Sequence, residues 1–235
     1  MNHPIHFVSL GPGDPELITL KGLKTLQKAD IIYCPATQGK HGIISRATDI
    51  LKAIEVDESL IHPFILPMSK ERTDALNAYN ELFLDAQAEY LKGKQIVIVA
   101  EGDAGFYSSI QYVYDKFEEA GIPVDRIAGI PAFIAAGAIS GLHIVKQEEK
   151  LVVLPGIVTA EELDSLLTSG HVVVIMKLSQ CTDEIHRFMQ ANRQHEFHYY
   201  ENVGTLSELH ETDKRSILNR TFPYFSLMII QPHII

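Results

Sequence analysis

Short apolar runs alternate with longer stretches of helical spacing through the first half of the chain, which predicts a mostly parallel sheet. The predicted strands are residues 5–10, 29–34, 61–66 and 96–100. The predicted helices are residues 15–28, 73–91 and 108–119. The first helix carries its apolar stripe on Leu17, Leu20, Leu23 and Leu26, and the second on Leu76, Tyr79, Leu82, Phe83 and Ala86. These stripes are typical of core packing.

A second α/β pattern begins after Gly121-Ile122-Pro123, where we place a domain boundary between residues 1–122 and 123–235. Its predicted strands are residues 151–154, 171–176, 198–203 and 225–230, with helices after a capping box at Thr159–Glu162 and near 183–190. Residues 206–220 are polar and poor in strand formers. The sequence therefore predicts two α/β domains, the first sheet mostly parallel and the second mixed.

Two glycine-containing loops follow buried strands. The first is Gly11-Pro12-Gly13-Asp14, where Asp14 before Pro15 predicts a helix N-cap. The second occupies residues 101–109. Ligands of open α/β sheets bind at the carboxyl ends of strands, although the first loop alone is also compatible with an ordinary turn. Glu16 stands where a dinucleotide-binding fingerprint needs glycine, so that motif is excluded.

Composition and charge argue against a nucleic-acid-binding, secreted or membrane-spanning protein. The 235 residues are 46% hydrophobic, enough for two cores, and the net charge of −10 argues against nucleic acid as the main partner. Cys34 and Cys181 are far apart and match no motif, which favours reduced thiols and a cytoplasmic protein. The first residues lack a signal-peptide pattern. Residues 128–145 carry no charge, but their glycines, proline and alanines favour a buried, closely packed helix with an entry loop over a membrane span.

Familiar catalytic motifs are missing from the sequence. There is no Gly-x-Ser-x-Gly elbow and no lysine-bearing phosphate loop. His195 and His198 have the wrong spacing for a zinc motif, so we expect no metal. The two loops therefore favour a cofactor that brings its own reactivity.

Four segments, in order along the chain, resemble the tetrapyrrole methylases. They are Gly11–Pro15 with Leu20-Lys21, Gly102-Asp103 with Tyr107-Ser108, Gly129–Ala132 before an alanine-rich stretch, and Val174–Lys177. The chain is more narrowly similar to the branch that methylates C-20 of precorrin-2 or cobalt-precorrin-2 in cobalamin biosynthesis. That similarity rests on Cys34-Pro35, Phe64–Met68, Glu201–Thr205 and Pro223–Leu227.

The resemblance implies a C-methyltransferase that holds S-adenosylmethionine in a cleft between two domains, largely through backbone. The cofactor-binding residues it implies are Pro12, Gly102, Asp103, Phe106, Tyr107, Pro131, Ala132, Met176, Val203 and Ser226. Of these, Met176 and Val203 are equally compatible with core packing. The resemblance also implies a polycarboxylate substrate, so we expect basic residues to gather at its site. The candidates are Lys21, Arg46, Lys70, Arg72 and Lys177.

The resemblance also implies a homodimer, for which Phe222, Tyr224 and Phe225 offer apolar surface. The sequence departs from the family pattern at Ala104, where proline is usual, and at Glu101, where a small or apolar residue is common. Without proline the loop regains an N–H group and backbone freedom, so we expect a looser loop.

Three alternatives stay open. One is methylation of another ring position or of uroporphyrinogen, which the Pro223–Ser226 ending argues against. Another is methylation of diphthamide or ribosomal RNA, disfavoured by the acidic charge. The third is a catalytically silent cofactor-binding module. The sequence determines neither whether the substrate carries cobalt nor which group removes the proton after methylation.

Overall fold

The computed structural model describes residues 3–40, 42–67, 72–192 and 194–233. The chain divides into two compact units, Met1–Pro131 and Ala132–Ile235. Strand β6 (Val124–Ile127) pairs with β1 (Ile5–Ser9), which assigns residues just after 122 to the sheet of the first unit. The predicted boundary after residue 122 therefore precedes the division between the units.

Within the described residues, the first unit contains a six-stranded sheet. Besides β1 and β6, its strands are β2 (Ile31–Gly39), β3 (Gly42–Ile44), β4 (Ile61–Ile65) and β5 (Ile96–Ala100). Their order is β4-β2-β5-β1-β6, with every neighbouring pair parallel, while β3 runs antiparallel to the end of β2. The mostly parallel first sheet is confirmed. The sequence analysis did not predict β3 or β6, which are short.

In the part of the chain that the structure describes, the two faces of this sheet are covered by the helices α1 (Leu20–Leu26), α2 (Arg46–Ala53), α3 (Arg72–Leu91) and α4 (Gln111–Glu119). Apolar residues of α1 and α2 pack with Val8, Val97 and Val99 on one face. Those of α3 and α4 pack with Phe7, Ile98 and their neighbours on the other. Successive strand residues alternate between the faces because the side-chain period of a strand is two. The sequence analysis did not predict α2.

The predicted helix over residues 15–28 was wrong in its first half. Asp14 accepts a hydrogen bond from the Glu16 N–H at 2.9 Å, but this cap begins only a short 3-10 turn, Pro15–Leu17. The helix α1 begins anew after Thr19, whose hydroxyl accepts a bond from Gly22 N–H. As a result Leu20, predicted to lie in the apolar stripe, is 66% exposed.

Among its described residues, the second unit contains the five-stranded sheet β10-β9-β11-β8-β7, in which β7 and β8 are parallel and the other neighbouring pairs are antiparallel. The strands are β7 (Lys150–Leu154), β8 (His171–Met176), β9 (Glu196–Glu201), β10 (Leu209–Glu211) and β11 (Ser226–Gln231). The helices are α5 (Ala132–Ser140), α6 (Ala160–Thr168), α7 (Thr182–Ala191) and α8 (Lys214–Leu218). The mixed sheet is confirmed, as is the Thr159 cap, which accepts from Glu162 N–H at 3.1 Å.

The uncharged stretch over residues 128–145 forms α5 and its flanking loops. Phe133, Ala135 and Ala136 are buried, whereas Ile134 and Ile139 are about half exposed, so the helix buries one face only. No helix among the described residues is long and apolar enough to span a bilayer. Phe222 is also buried, in the core of the second unit. It therefore offers no surface for a partner, contrary to the sequence-based expectation.

Candidate functional site

The point where the connections of the first sheet change face lies between β1 and β5. These strands are neighbours, with Phe7 opposite Ile98 and Ser9 opposite Ala100. The chain leaving β1 enters α1 on one face, whereas the chain leaving β5 enters α4 on the other. The two connections therefore leave the carboxyl edge of the sheet toward opposite faces, and this is the position where open α/β sheets bind ligands. The predicted glycine loops are these two connections.

The backbones of Gly11 and Gly102 pair at this edge of the sheet. Gly102 N–H donates to Gly11 O at 2.6 Å, and Gly11 N–H donates to Gly102 O at 3.1 Å. Both residues have positive φ, +82° and +67°, which glycine adopts without a steric penalty. A Cβ on Gly102 would meet nothing within 4 Å, so open space borders the backbone here. Pro12, also predicted to contact the cofactor, is buried beside Gly11.

The Asp103 carboxylate links the second loop to a third loop after β6. Its Oδ1 accepts from the Gly105 N–H at 2.8 Å, and its Oδ2 accepts from the Gly129 N–H at 2.7 Å. Gly129 lies so close to the other loops that an added Cβ would be 2.7 Å from Gly102 O. The carboxylate thus has a structural role at the site. Its contact with a cofactor stays a prediction.

Ser9, the last residue of β1, is hydrogen-bonded to the second loop and to the end of β6. Its side chain is fully buried; its hydroxyl donates to Ile127 O at 2.7 Å and accepts from the Ala104 N–H at 2.8 Å. A proline at position 104 would lack this N–H. The hydrogen bond from the Ala104 N–H to Ser9 therefore holds the loop in place, which opposes the loosening that we expected from the sequence. The signal in the sequence was a serine that directly follows Phe7 and Val8 and precedes Leu10, all of them apolar.

Two aromatic residues continue the second loop. The rings of Phe106 and Tyr107 lie 4.7 Å apart, and Tyr107 is 42% exposed. Tyr107 has a φ of +50°, an uncommon conformation for a residue with a side chain. Strained backbone of this kind is concentrated at functional sites. Pro131, the remaining cofactor candidate of this unit, is partly buried at the end of the third loop.

In the second unit, three predicted cofactor residues gather at one edge of the sheet. Met176 ends β8 and pairs with Leu227, Ser226 begins β11 opposite Glu201, and Val203 follows β9. Val203 is buried and Met176 only partly so. The Ser226 hydroxyl donates to Pro223 O at 2.6 Å. Ala132, the fourth candidate here, begins α5.

The predicted substrate-binding cations lie in different places. Lys21 forms an ion pair with Asp125 of β6 at 3.5 Å, and Arg46 begins α2 beside Glu101. Lys177 follows Met176 in a left-handed conformation, and burial lowers the pKa of its ammonium group. Lys70 lies outside the described residues, as does the side chain of Arg72, the first residue of α3.

Glu101 is an ionisable group whose role the sequence analysis did not identify. It directly follows β5, is partly buried, and accepts a hydrogen bond from the Ala47 N–H at the start of α2. Burial raises the pKa of its carboxyl group to about 7, and the Asp49 charge acts in the same direction, while Arg46 and the Ala47 N–H oppose the shift. Such a carboxyl can gain or lose a proton near neutral pH.

Comparisons with known proteins agree with this geometry. The model of the Tetrapyrrole (Corrin/Porphyrin) Methylases matches residues 4–216. The chain is 29% identical to the precorrin-2 C(20)-methyltransferase of Sinorhizobium sp, over 95% of this chain and 93% of that one. It is 30% identical to the probable cobalt-precorrin-2 C(20)-methyltransferase of Methanocaldococcus jannaschii, over 77% and 75% of the two chains.

Among solved structures, the fold is similar to the uroporphyrin-III C-methyl transferase of Thermus thermophilus, described as complexed with S-adenyl homocysteine. The TM-score is 0.65 at 17% identity, and 97% of each chain is covered. At this identity the likeness shows the fold alone.

Proposed function

The chain belongs to the tetrapyrrole (corrin/porphyrin) methylase family, and on that premise we propose that it methylates C-20 of precorrin-2 or cobalt-precorrin-2. S-adenosylmethionine is the methyl donor in this proposal. The observation that carries it is the similarity, over most of the chain, to two C-20 methyltransferases. The reaction would belong to cobalamin biosynthesis.

The loops at the carboxyl edge of the first sheet fit a ligand that is held largely by backbone. Gly102 borders open space, and the Phe106–Tyr107 pair offers partly exposed aromatic surface beside it. When bound, S-adenosylmethionine supplies an electrophilic methyl group on a sulfonium. The protein then has to orient the reactants and exclude water, which accounts for much of the rate in reactions of this kind.

Hydrogen bonds between the loops would provide this orientation. Asp103 fixes the second loop to the third, and Ser9 fixes the second loop to β1 and β6. Because these bonds link the loops to one another and to the sheet, they restrict the conformations of the loops, which reduces the entropy that is lost when a ligand binds. In the first unit, we assign carboxylates of the polycarboxylate substrate to Arg46, which begins α2. The affinity for this substrate should therefore fall as salt rises, while that for the cofactor changes little.

The test is incubation with S-adenosylmethionine carrying a ¹³C-methyl group and precorrin-2, with and without cobalt. Mass spectrometry should detect the gain of one methyl, and carbon NMR should place it at C-20. Uroporphyrinogen III in parallel tests the main alternative, and a signal at another ring carbon would contradict the C-20 assignment. Cofactor binding without methyl transfer to any tetrapyrrole would favour a catalytically silent module.

We also propose that the protein is a cytoplasmic homodimer. Tyr224 and Phe225 form a T-shaped pair with centroids 4.9 Å apart and are 56% and 40% exposed. Adjacent exposed aromatic side chains are typical of interfaces, and two-fold symmetry would bring this patch against itself. The free, buried Cys34 and Cys181 suit a reducing compartment.

A further inference from the structure

Arg126 contacts the second loop of the candidate site from the neighbouring strand. It lies in β6 opposite Phe7 of β1, so its side chain lies on the face of the sheet that carries α4. There its guanidinium covers the ring of Tyr114 in α4, with Cζ 4.2 Å from the ring centroid. The Tyr114 ring in turn contacts Phe7 edge to face, with centroids 5.0 Å apart. A strand and a helix therefore fix the position of the Arg126 side chain.

The same side chain packs closely against Gly105. A Cβ added to Gly105 would lie 3.1 Å from Cδ and 3.3 Å from Nη1 of Arg126. These distances are shorter than the optimal separation of about 3.5–4.0 Å between carbon atoms, so Arg126 occupies space that a side chain at position 105 would need. The Gly105 N–H also donates to the Asp103 carboxylate at 2.8 Å. Two contacts therefore hold the backbone of the loop at this residue.

The aromatic segment of the loop begins directly after Gly105. Its members are Phe106 and Tyr107, and Tyr107 has a φ of +50°. A residue keeps such a strained conformation only when its surroundings hold it there. The segment leads into α4, which carries Tyr114. Arg126 therefore links the beginning of this segment to the helix that follows it.

Packing, and not charge pairing, accounts for the contacts of Arg126. Its side chain is exposed, and no ion pair or hydrogen bond joins its guanidinium to another residue in the described part of the chain. Arginine can cover neighbouring apolar and aromatic groups in this way while its charge stays in water. Loss of the side chain should therefore matter more than loss of the charge.

We propose that Arg126 is a positioning residue, which holds Gly105 against α4 and thereby orients Phe106 and Tyr107 in the cofactor site. The inference rests on the proposed function, because it takes these two aromatic residues as part of the S-adenosylmethionine site. Removing the Arg126 side chain then weakens cofactor binding and slows methyl transfer, and it leaves the affinity for the tetrapyrrole unchanged.

Three substitutions separate packing from charge. Arg126→Ala removes the side chain, Arg126→Lys keeps a long charged side chain, and Arg126→Met keeps a long, uncharged and adaptable one. The dissociation constant for S-adenosylhomocysteine, measured by calorimetry, should rise about tenfold in R126A, which corresponds to 1.4 kcal/mol, and stay within about threefold in R126K and R126M. Lys28→Ala is the control for charge, because it removes an exposed cation that follows α1; it should leave this affinity unchanged.

A second substitution tests the contact with Gly105 directly. Gly105→Ala adds the Cβ that would press on Arg126, so it should weaken S-adenosylhomocysteine binding by about threefold in the wild type and by less in the R126A background. Additive effects of the two substitutions would contradict the contact. Should R126A not fold, Gly105→Ala decides by itself, and unchanged affinity in that variant would overturn the proposal.

Kinetics distinguish positioning of the cofactor from binding of the substrate. With saturating S-adenosylmethionine, R126A should lower kcat and leave the KM for the tetrapyrrole within about threefold. A raised KM for the tetrapyrrole in both R126A and R126M, with unchanged cofactor affinity, would mean that the guanidinium binds a substrate carboxylate, and it would overturn the positioning role. The calorimetry needs no tetrapyrrole, so it decides the role of Arg126 even if C-20 methylation is not found.

Discussion

Replacing Asp103 should destabilise the protein, because this residue joins two loops of the candidate site. Its carboxylate is the acceptor for two backbone N–H groups, at 2.8 Å from Gly105 and 2.7 Å from Gly129. A hydrogen bond to a charged group contributes about 1.5–3 kcal/mol. The bond from the Gly105 N–H is exposed. Its contribution to stability should lie at or below the low end of this range, because the N–H can bond to water instead. For Asp103→Ala we expect a loss of about 2–3 kcal/mol in the free energy of unfolding.

The same change should weaken S-adenosylhomocysteine binding by tenfold or more, about 1.4 kcal/mol, because the second and third loops are no longer held together. Asp103→Asn keeps one acceptor oxygen and should cost about half as much stability. Urea denaturation gives the stability, isothermal calorimetry gives the affinity, and hydrogen exchange of the Gly129 amide reports the local bond.

Asp14→Asn is the matched control for Asp103→Asn, because Asp14 accepts the N–H of Glu16, two residues away in its own loop. It should change stability by less than about 0.5 kcal/mol, because asparagine is about as good an N-cap as aspartate. If folded D103A binds S-adenosylhomocysteine as tightly as the wild type and leaves Gly129 exchange unchanged, the carboxylate does not organise the site.

Further changes test the other contacts. Ser9→Ala should cost about 2–4 kcal/mol in unfolding free energy, because it leaves a buried donor and a buried acceptor unpaired; a loss below about 1 kcal/mol in denaturant would contradict this. Ala104→Pro removes the N–H donor to Ser9 and should destabilise the protein, whereas a higher melting temperature would show that this bond contributes little. Thr159→Ala removes the cap of α6 and should cost about 1 kcal/mol, with no change in ligand affinity by calorimetry. Substituting both Tyr224 and Phe225 by serine should convert a dimer to a monomer in light scattering; a monomeric wild type would reject the dimer.

Elements with a strong local pattern were predictable from the sequence. The buried strands β5 and β8 were predicted with their observed bounds, because uninterrupted apolar runs between turn residues specify them locally. The Thr159 cap was predicted for the same reason. Short elements were missed: β3 and β6 have three and four residues, too few to show a period. The break in the first helix was missed because the apolar spacing of Leu17 and Leu20 continues across it.

The sequence also located the loops of the candidate site, since each follows a recognisable strand. The sequence could not specify which groups in those loops form hydrogen bonds with one another. Asp103 bonds Gly129, 26 residues away, and Ser9 bonds Ala104, 95 residues away. These contacts exist only because β5 and β6 both become neighbours of β1 in the sheet.

By itself, then, the sequence determined the α/β class, the two types of sheet and the family of the chain, because apolar periodicity and loop motifs are properties of neighbouring residues. Only the tertiary structure decided that Asp103 ties two loops together, that the Ala104 N–H has a buried acceptor, and that the Glu101 pKa lies near neutrality. Hydrogen-bond partners and burial depend on strand order. Segments far apart in sequence come together only when the sheet assembles.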